Sequence, residues 1–157
     1  MITQFKEYLT FENIYLWTNF GVLPFWLLLM FLPNSKFTQF FINSIILPLI
    51  LAICYIFIIN QIFLLDEPIY DILKIYISLD GLYTAFSTDS FLLLFWLHFI
   101  SINLFLGSWI SRDGVKYIIP KGLVFIPLVL VYLTGPVGLV LYWFIRIFYS
   151  KKLGFHD

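Results

Sequence analysis

Residues that could do acid–base or ligand chemistry gather in one apolar stretch, FWLHFISINLFLGSWISRDG, from Phe95 to Gly114. It holds His98, Ser101, Asn103, Arg112 and Asp113. An imidazole can give or take a proton near neutral pH. A carboxylate can take one, a guanidinium can hold an anion, and a hydroxyl or an amide can orient an oxygen. Wound as a helix at roughly 100° per residue, the stretch places His98, Ser101, Phe105 and Arg112 on one stripe. Asn103 lines up instead with Trp96, Phe99 and Gly107. The polar atoms therefore point to two neighbouring faces. Polar groups at membrane depth are costly, face a protein interior by default and mark a function. The structural alternative is hydrogen bonding between helices, about 0.6–2 kcal/mol per bond.

The elements that must carry these residues follow from composition. The 157 residues are 62% hydrophobic, 22% aromatic and 11% charged, where soluble domains carry about 25% charged residues. This composition predicts an integral membrane protein. A formal net charge of zero leaves no basic footprint, so nucleic acid is not an expected partner. Four uncharged apolar stretches stand out, at about residues 14–32, 38–65, 90–110 and 123–146. Each can cross a hydrocarbon core of about 30 Å as a helix. Long unbroken apolar runs argue against a barrel, whose strands alternate in short segments. The expected fold class is thus all-α: a four-transmembrane-helix bundle in a single membrane domain, residues 1–157. Between spans two and three, PIYDILKIYISLDGLY has the spacing of an amphipathic interfacial helix at about 68–80, with Pro68 at its start and Gly81 past its end. No small-residue cleavage site follows the first apolar run, so that run is expected to remain a span. Four spans put both termini on one side, with five Lys and Arg there against four opposite. That count leans only slightly towards cytoplasmic or stromal termini.

Other chemistry is sparse. No nucleotide loop, Ser-His-Asp series, HExxH or paired-histidine iron motif is present. Cys54 is the one cysteine and reads as a small apolar filler. No metal site is expected, and the two histidines are too few for a di-iron centre. His98 alone could ligate a chlorophyll magnesium or a haem, with nothing further in its support. Any chemistry is cofactor-free acid–base work or borrows a partner. Asn19 precedes Pro24 in the first span, where an amide can meet backbone groups freed at a kink. Gly135, Pro136 and Gly138 in TGPVGLVLYWFIR suit a kink or a close helix approach. Trp17, Trp26, Trp109 and Trp143 lie near predicted span ends or kinks, as an aromatic belt or as the lining of a groove for a polyene.

Three segments together resemble one family. NFGVLPFWLLLMFLPNSKFT, FWLHFISINLFLGSWISRDG and TGPVGLVLYWFIR are similar to the abscisic-acid-deficient-four-like membrane proteins. The matching positions are Pro24, Trp26, Pro33, Asn34, Trp96, His98, Leu104, Phe105, Gly107, Trp109, Ile110, Asp113, Gly135, Pro136 and Gly138. That family is named for a plastid protein required to make neoxanthin from violaxanthin. The resemblance implies a protein of carotenoid or xanthophyll metabolism similar to neoxanthin synthase, an isomerase that turns an epoxide end-group into an allenic alcohol. Such a reaction needs an acid at the epoxide oxygen and a base at a neighbouring C–H, and no redox cofactor. The implied catalytic residues are His98 and Asp113. With the polar residues read above added to the matched tryptophans, the candidate substrate-binding residues are Asn19, Trp26, Trp96, Ser101, Asn103, Trp109 and Arg112. One departure stands out: the family usually has an acid before the Leu-Phe pair, where this chain has Asn103. An amide can orient a hydroxyl but cannot trade protons. Expected partners are membrane lipid, a carotenoid ligand, and a second copy or a pigment–protein complex. The expected location is a bacterial inner, thylakoid or plastid membrane. Two alternatives stay open: a pigment-binding or pigment-assembly protein without chemistry, and a polytopic protein whose polar residues only hold helices together.

Overall fold

The structure, a computed structural model, describes residues 9–42, 46–64, 73–151 and 154. Among these residues it is all-helical. The α-helices are α1 Phe11–Phe31, α2 Lys36–Phe41, α3 Ile46–Leu64, α4 Leu79–Phe86, α5 Asp89–Lys116, α6 Lys121–Thr134 and α7 Pro136–Ser150, with a short 3-10 turn at Leu73–Tyr76. Among the described residues two helices, α1 and α5, are long and apolar enough to cross a membrane, against the four spans expected.

Local chemistry sets the boundaries. Thr10 opens α1, its Oγ1 accepting the Asn13 backbone N–H at 3.2 Å. Pro33 lies two residues past its end. Ser35 caps α2 by accepting the Thr38 N–H at 3.0 Å, and the Thr38 hydroxyl donates back to the Leu32 carbonyl at 2.7 Å. The second predicted span, 38–65, is thus divided between α2 and α3, with residues 43–45 outside the described ones. Residues 68–72 of the expected interfacial helix also lie outside them. The described part of this connection corrects the expected helix position. The helix runs from Leu79 to Phe86, with Gly81 inside it rather than past its end. The Ser78 side chain accepts the Gly81 N–H at 3.1 Å, and Asp80 sits in the first turn, a stronger start signal than Pro68.

The third predicted span, 90–110, is correct in place but too short. Helix α5 continues through Arg112 and Asp113 to Lys116, so both sit on a helix and not in a loop. It ends on paired bonds from Ile118 N–H to the Val115 carbonyl and from Ile119 N–H to the Gly114 carbonyl, with Ile118 in the left-handed region at φ 54°. The fourth predicted span, 123–146, is not one helix. It breaks at Gly135, with φ 67°. Pro136 has no N–H to continue α6 and instead occupies the first turn of α7. With 14 and 15 residues, α6 and α7 rise about 21 and 22 Å, each short of a hydrocarbon core. They pack along each other, and Gly138 lets the α7 backbone meet α6 at Val131 and Pro127.

The chain divides into two units, residues 1–21 with 49–99 and residues 22–48 with 100–157. Ile14, Ile58, Leu93 and Leu97 centre the first, with Cys54 and Tyr55 partly buried against them. Trp26, Leu29, Leu104, Ile110, Leu128, Val131 and Tyr142 are buried in the second.

Candidate functional site

The strongest polar constellation lies in the second unit, on α5 and α7. Tyr142 and Arg146 are four residues apart on α7, hence on one face. The Tyr142 hydroxyl donates to Asp113 Oδ2 at 2.7 Å. Arg146 Nε donates to the same oxygen at 2.7 Å. Tyr142, Arg146 and Asp113 are 0%, 1% and 9% exposed. The other guanidinium nitrogens are engaged too: Nη1 donates to the Gly154 carbonyl at 3.0 Å and Nη2 to the Tyr117 hydroxyl at 3.3 Å. The guanidinium plane also lies 4.9 Å from the Tyr117 ring centre and 5.3 Å from that of Trp143. Trp109 meets Tyr142 edge-on at 5.6 Å. A buried charge is tolerable when paired and hydrogen-bonded in this way. Chemically, the cluster joins a proton acceptor, a phenolic donor and a fixed cation on a single carboxylate oxygen.

A second feature of the same unit is a corner between α6 and α7. Asn103 is 5% exposed, and its Nδ2 is buried with no hydrogen-bond partner. Its amide faces Gly135, where a Cβ would stand 2.6 Å from Oδ1. Nearby, Trp26 is buried with its ring 2.6 Å from where a Gly107 Cβ would be, and it meets Tyr132 edge-on at 5.5 Å. The buried Ser111 hydroxyl donates to the Leu29 carbonyl at 3.3 Å.

The remaining expected site residues separate from these. In the first unit, Trp96 Nε1 donates to Asn19 Oδ1 at 2.9 Å, and Trp96 also packs on Tyr15 and Phe99. Asn19 therefore serves an indole and not the backbone near Pro24, which α1 passes without ending. His98 is exposed, with the Tyr55 ring 6.4 Å away. Ser101 is half-buried, and Arg112 is exposed next to the buried Asp113. Three residues of the first predicted stripe, His98, Phe105 and Arg112, are thus exposed, and Ser101 is partly covered. His98 and Asp113 are also fifteen residues apart on one continuous helix, about 22 Å of rise. Of the four tryptophans expected at span ends or kinks, Trp17 is exposed, while Trp26, Trp109 and Trp143 take part in packing.

Residues 13–142 match the family described as ABA DEFICIENT 4-like. The chain belongs to the ABA DEFICIENT 4-like family. No curated protein and no solved structure matches it. Two members of the cluster were not legible as chemistry in this ABA DEFICIENT 4-like sequence: Tyr142, the last residue of the match, and Arg146, four positions beyond it. Arg146 reads as an anchor at the end of an apolar run. The signal that could have found them is the Tyr142–Arg146 spacing on one helical face, together with Asp113 as the carboxylate within the stretch Phe95 to Gly114.

Proposed function

We propose that this ABA DEFICIENT 4-like chain is a multi-pass membrane protein of carotenoid metabolism that isomerises an epoxidised xanthophyll end-ring. The observation that carries the chemistry is the single Asp113 oxygen shared by the Tyr142 hydroxyl and Arg146. The membrane assignment rests on α1 and α5, and on outward apolar side chains such as Phe20, Ile56, Phe105 and Phe148. Lipid is the solvent that makes such faces favourable.

The reaction breaks one epoxide C–O bond and one neighbouring C–H bond and forms one O–H bond, with no net electron transfer. Tyr142 supplies the proton at the epoxide oxygen. Asp113 takes the proton from carbon and returns one to Tyr142 along their 2.7 Å hydrogen bond. Arg146 holds the negative charge as it moves between the two oxygens. In this scheme His98, on the outward face, touches no reacting atom.

The test is expression of the full chain in a bacterial host that accumulates an epoxidised xanthophyll, with chromatography and mass analysis of the pigments. The expected product has the substrate's mass and a shifted absorption spectrum, and Tyr142→Phe abolishes it. An unchanged pigment profile with folded protein in the membrane overturns the enzymatic reading. The complete burial of Tyr142 and the amide at Asn103 favour a second reading, a pigment-binding protein without chemistry. Co-purification of unaltered pigment with the protein supports it.

A further inference from the structure

The cluster around Asp113 leaves one buried polar group of the same unit unexplained. Asn103 Nδ2 has no partner, although shutting an amide away from water without a bond costs about 1–3 kcal/mol. Next to it, the N-terminus of the 15-residue α7 has no side-chain cap. Pro136 carries no N–H, and the first N–H of α7 to reach a backbone carbonyl in this turn is that of Leu139, at 3.3 Å from the Gly135 oxygen. The N–H groups of Val137 and Gly138 therefore add to the donors at this corner. Gly135 keeps the corner open. Its φ of 67° suits glycine, and any Cβ there would stand 2.6 Å from Asn103 Oδ1.

We infer that the Asn103 amide and the first turn of α7 form a hydrogen-bond donor site for a neutral oxygen of an apolar ligand. Resting on the carotenoid reading, this deepens it: the oxygen is the hydroxyl or epoxide oxygen of a xanthophyll ring. Two independent features converge, an orphaned amide and an uncapped helix start, and both lack an acceptor. A neutral acceptor fits better than an anion, because Arg146 is committed to Asp113 and a dehydrated anion would have no counter-charge. The two ends of an amide are nearly alike in shape, so a half-turn about χ2 brings the NH2 group to the side of Gly135 where the oxygen now stands. The site holds the ligand's oxygen and takes no part in proton transfer, since an amide does not titrate.

The test uses the full chain in phosphatidylcholine nanodiscs, titrated with an epoxidised xanthophyll and with β-carotene, its oxygen-free counterpart. Quenching of tryptophan fluorescence reads binding. The expected result is that the native chain prefers the oxygenated pigment about tenfold, the scale of one hydrogen bond. Asn103→Leu loses that preference while keeping its affinity for β-carotene and an equal or higher Tm. Equal binding of both pigments by the native chain, or a preference that survives in Asn103→Leu, overturns the donor site and leaves the carotenoid reading standing. Binding of neither pigment overturns both. Should Asn103→Leu fail to fold, Asn103→Ala takes its place. A Tm lowered in both variants means that the amide is bonded within the protein, and it overturns the inference as well.

Discussion

Two pairs of polar residues on α5 have similar chemical promise and opposite fates. His98 and Arg112, about 40° apart around the helix, are exposed, with the Tyr55 ring 6.4 Å from that of His98. Asn103 and Asp113, about 80° apart, are buried, the first without a hydrogen-bond partner for its nitrogen and the second with two donors on one oxygen. The difference shows that residue type alone misleads within an apolar helix. Histidine is the better acid–base group in isolation, yet function needs partners fixed in place, and the partners stand on α7. A carboxylate one turn from the helix end becomes the organised group because Tyr142 and Arg146 face it from a second helix.

The largest effect expected from breaking this contrast is at Asp113. Asp113→Ala leaves the Arg146 guanidinium 1% exposed with its carboxylate gone. Removing one partner of a buried pair costs about 3–5 kcal/mol. Thermal unfolding of the detergent-purified protein should show a large fall in Tm. Replacing both partners with apolar residues, Asp113→Leu with Arg146→Met, should recover much of that loss. If the single substitution leaves Tm unchanged, the pair is not closed in the way its distances imply.

A smaller effect is expected at Gly135, which sharpens what the inner face requires. Gly135→Ala forces a Cβ into a φ of 67° and against the Asn103 amide. With ψ at −88° the residue lies outside even the left-handed helical region, and the backbone term alone costs about 1–3 kcal/mol. Combining it with Asn103→Ala removes the clash and should restore part of the loss, leaving the backbone term. Tm values of the two single variants and the double variant check this. Strict additivity would mean that the amide and the glycine do not touch.

Much of this contrast is legible in the amino-acid sequence. The angular spacing along Phe95 to Gly114 separates the His98 stripe from the Asn103 stripe, and it is correct that they are two faces. Which of them turns inward is not written in that segment, because both are framed by large apolar side chains. Inward and outward are decided by α1, α6 and α7, through contacts such as Trp26 on Gly107 and Asn103 on Gly135. The ends of elements are harder still. Apolar run length predicts α5 only to residue 110, since Arg112 and Asp113 look like loop residues until Arg146 and Tyr142 neutralise the carboxylate. The same run-length reasoning joins α6 and α7 into a single span, since hydropathy does not register a glycine at positive φ followed by a proline. Membership of the family, carried by short motifs, is untouched by these errors because motifs do not depend on where a helix stops.

The smallest effect is expected at His98, and it is the most direct test of the contrast. Since the side chain is exposed, His98→Ala removes no buried hydrogen bond and leaves no cavity. Substitutions of that kind change stability by at most about 0.5 kcal/mol. Pigment conversion in the bacterial host should likewise be unaltered, because the imidazole stands about 22 Å of helix rise from Asp113. A fall in Tm with conversion intact would mean that His98 bonds to another helix or a second copy, which is the helix-gluing role. A loss of conversion with Tm intact would move the reacting centre to the outward face, and the Asp113 cluster would then be a clasp between α5 and α7 without chemistry of its own. The two readouts together therefore decide which of His98 and Asp113 works on the ligand and which holds the protein together.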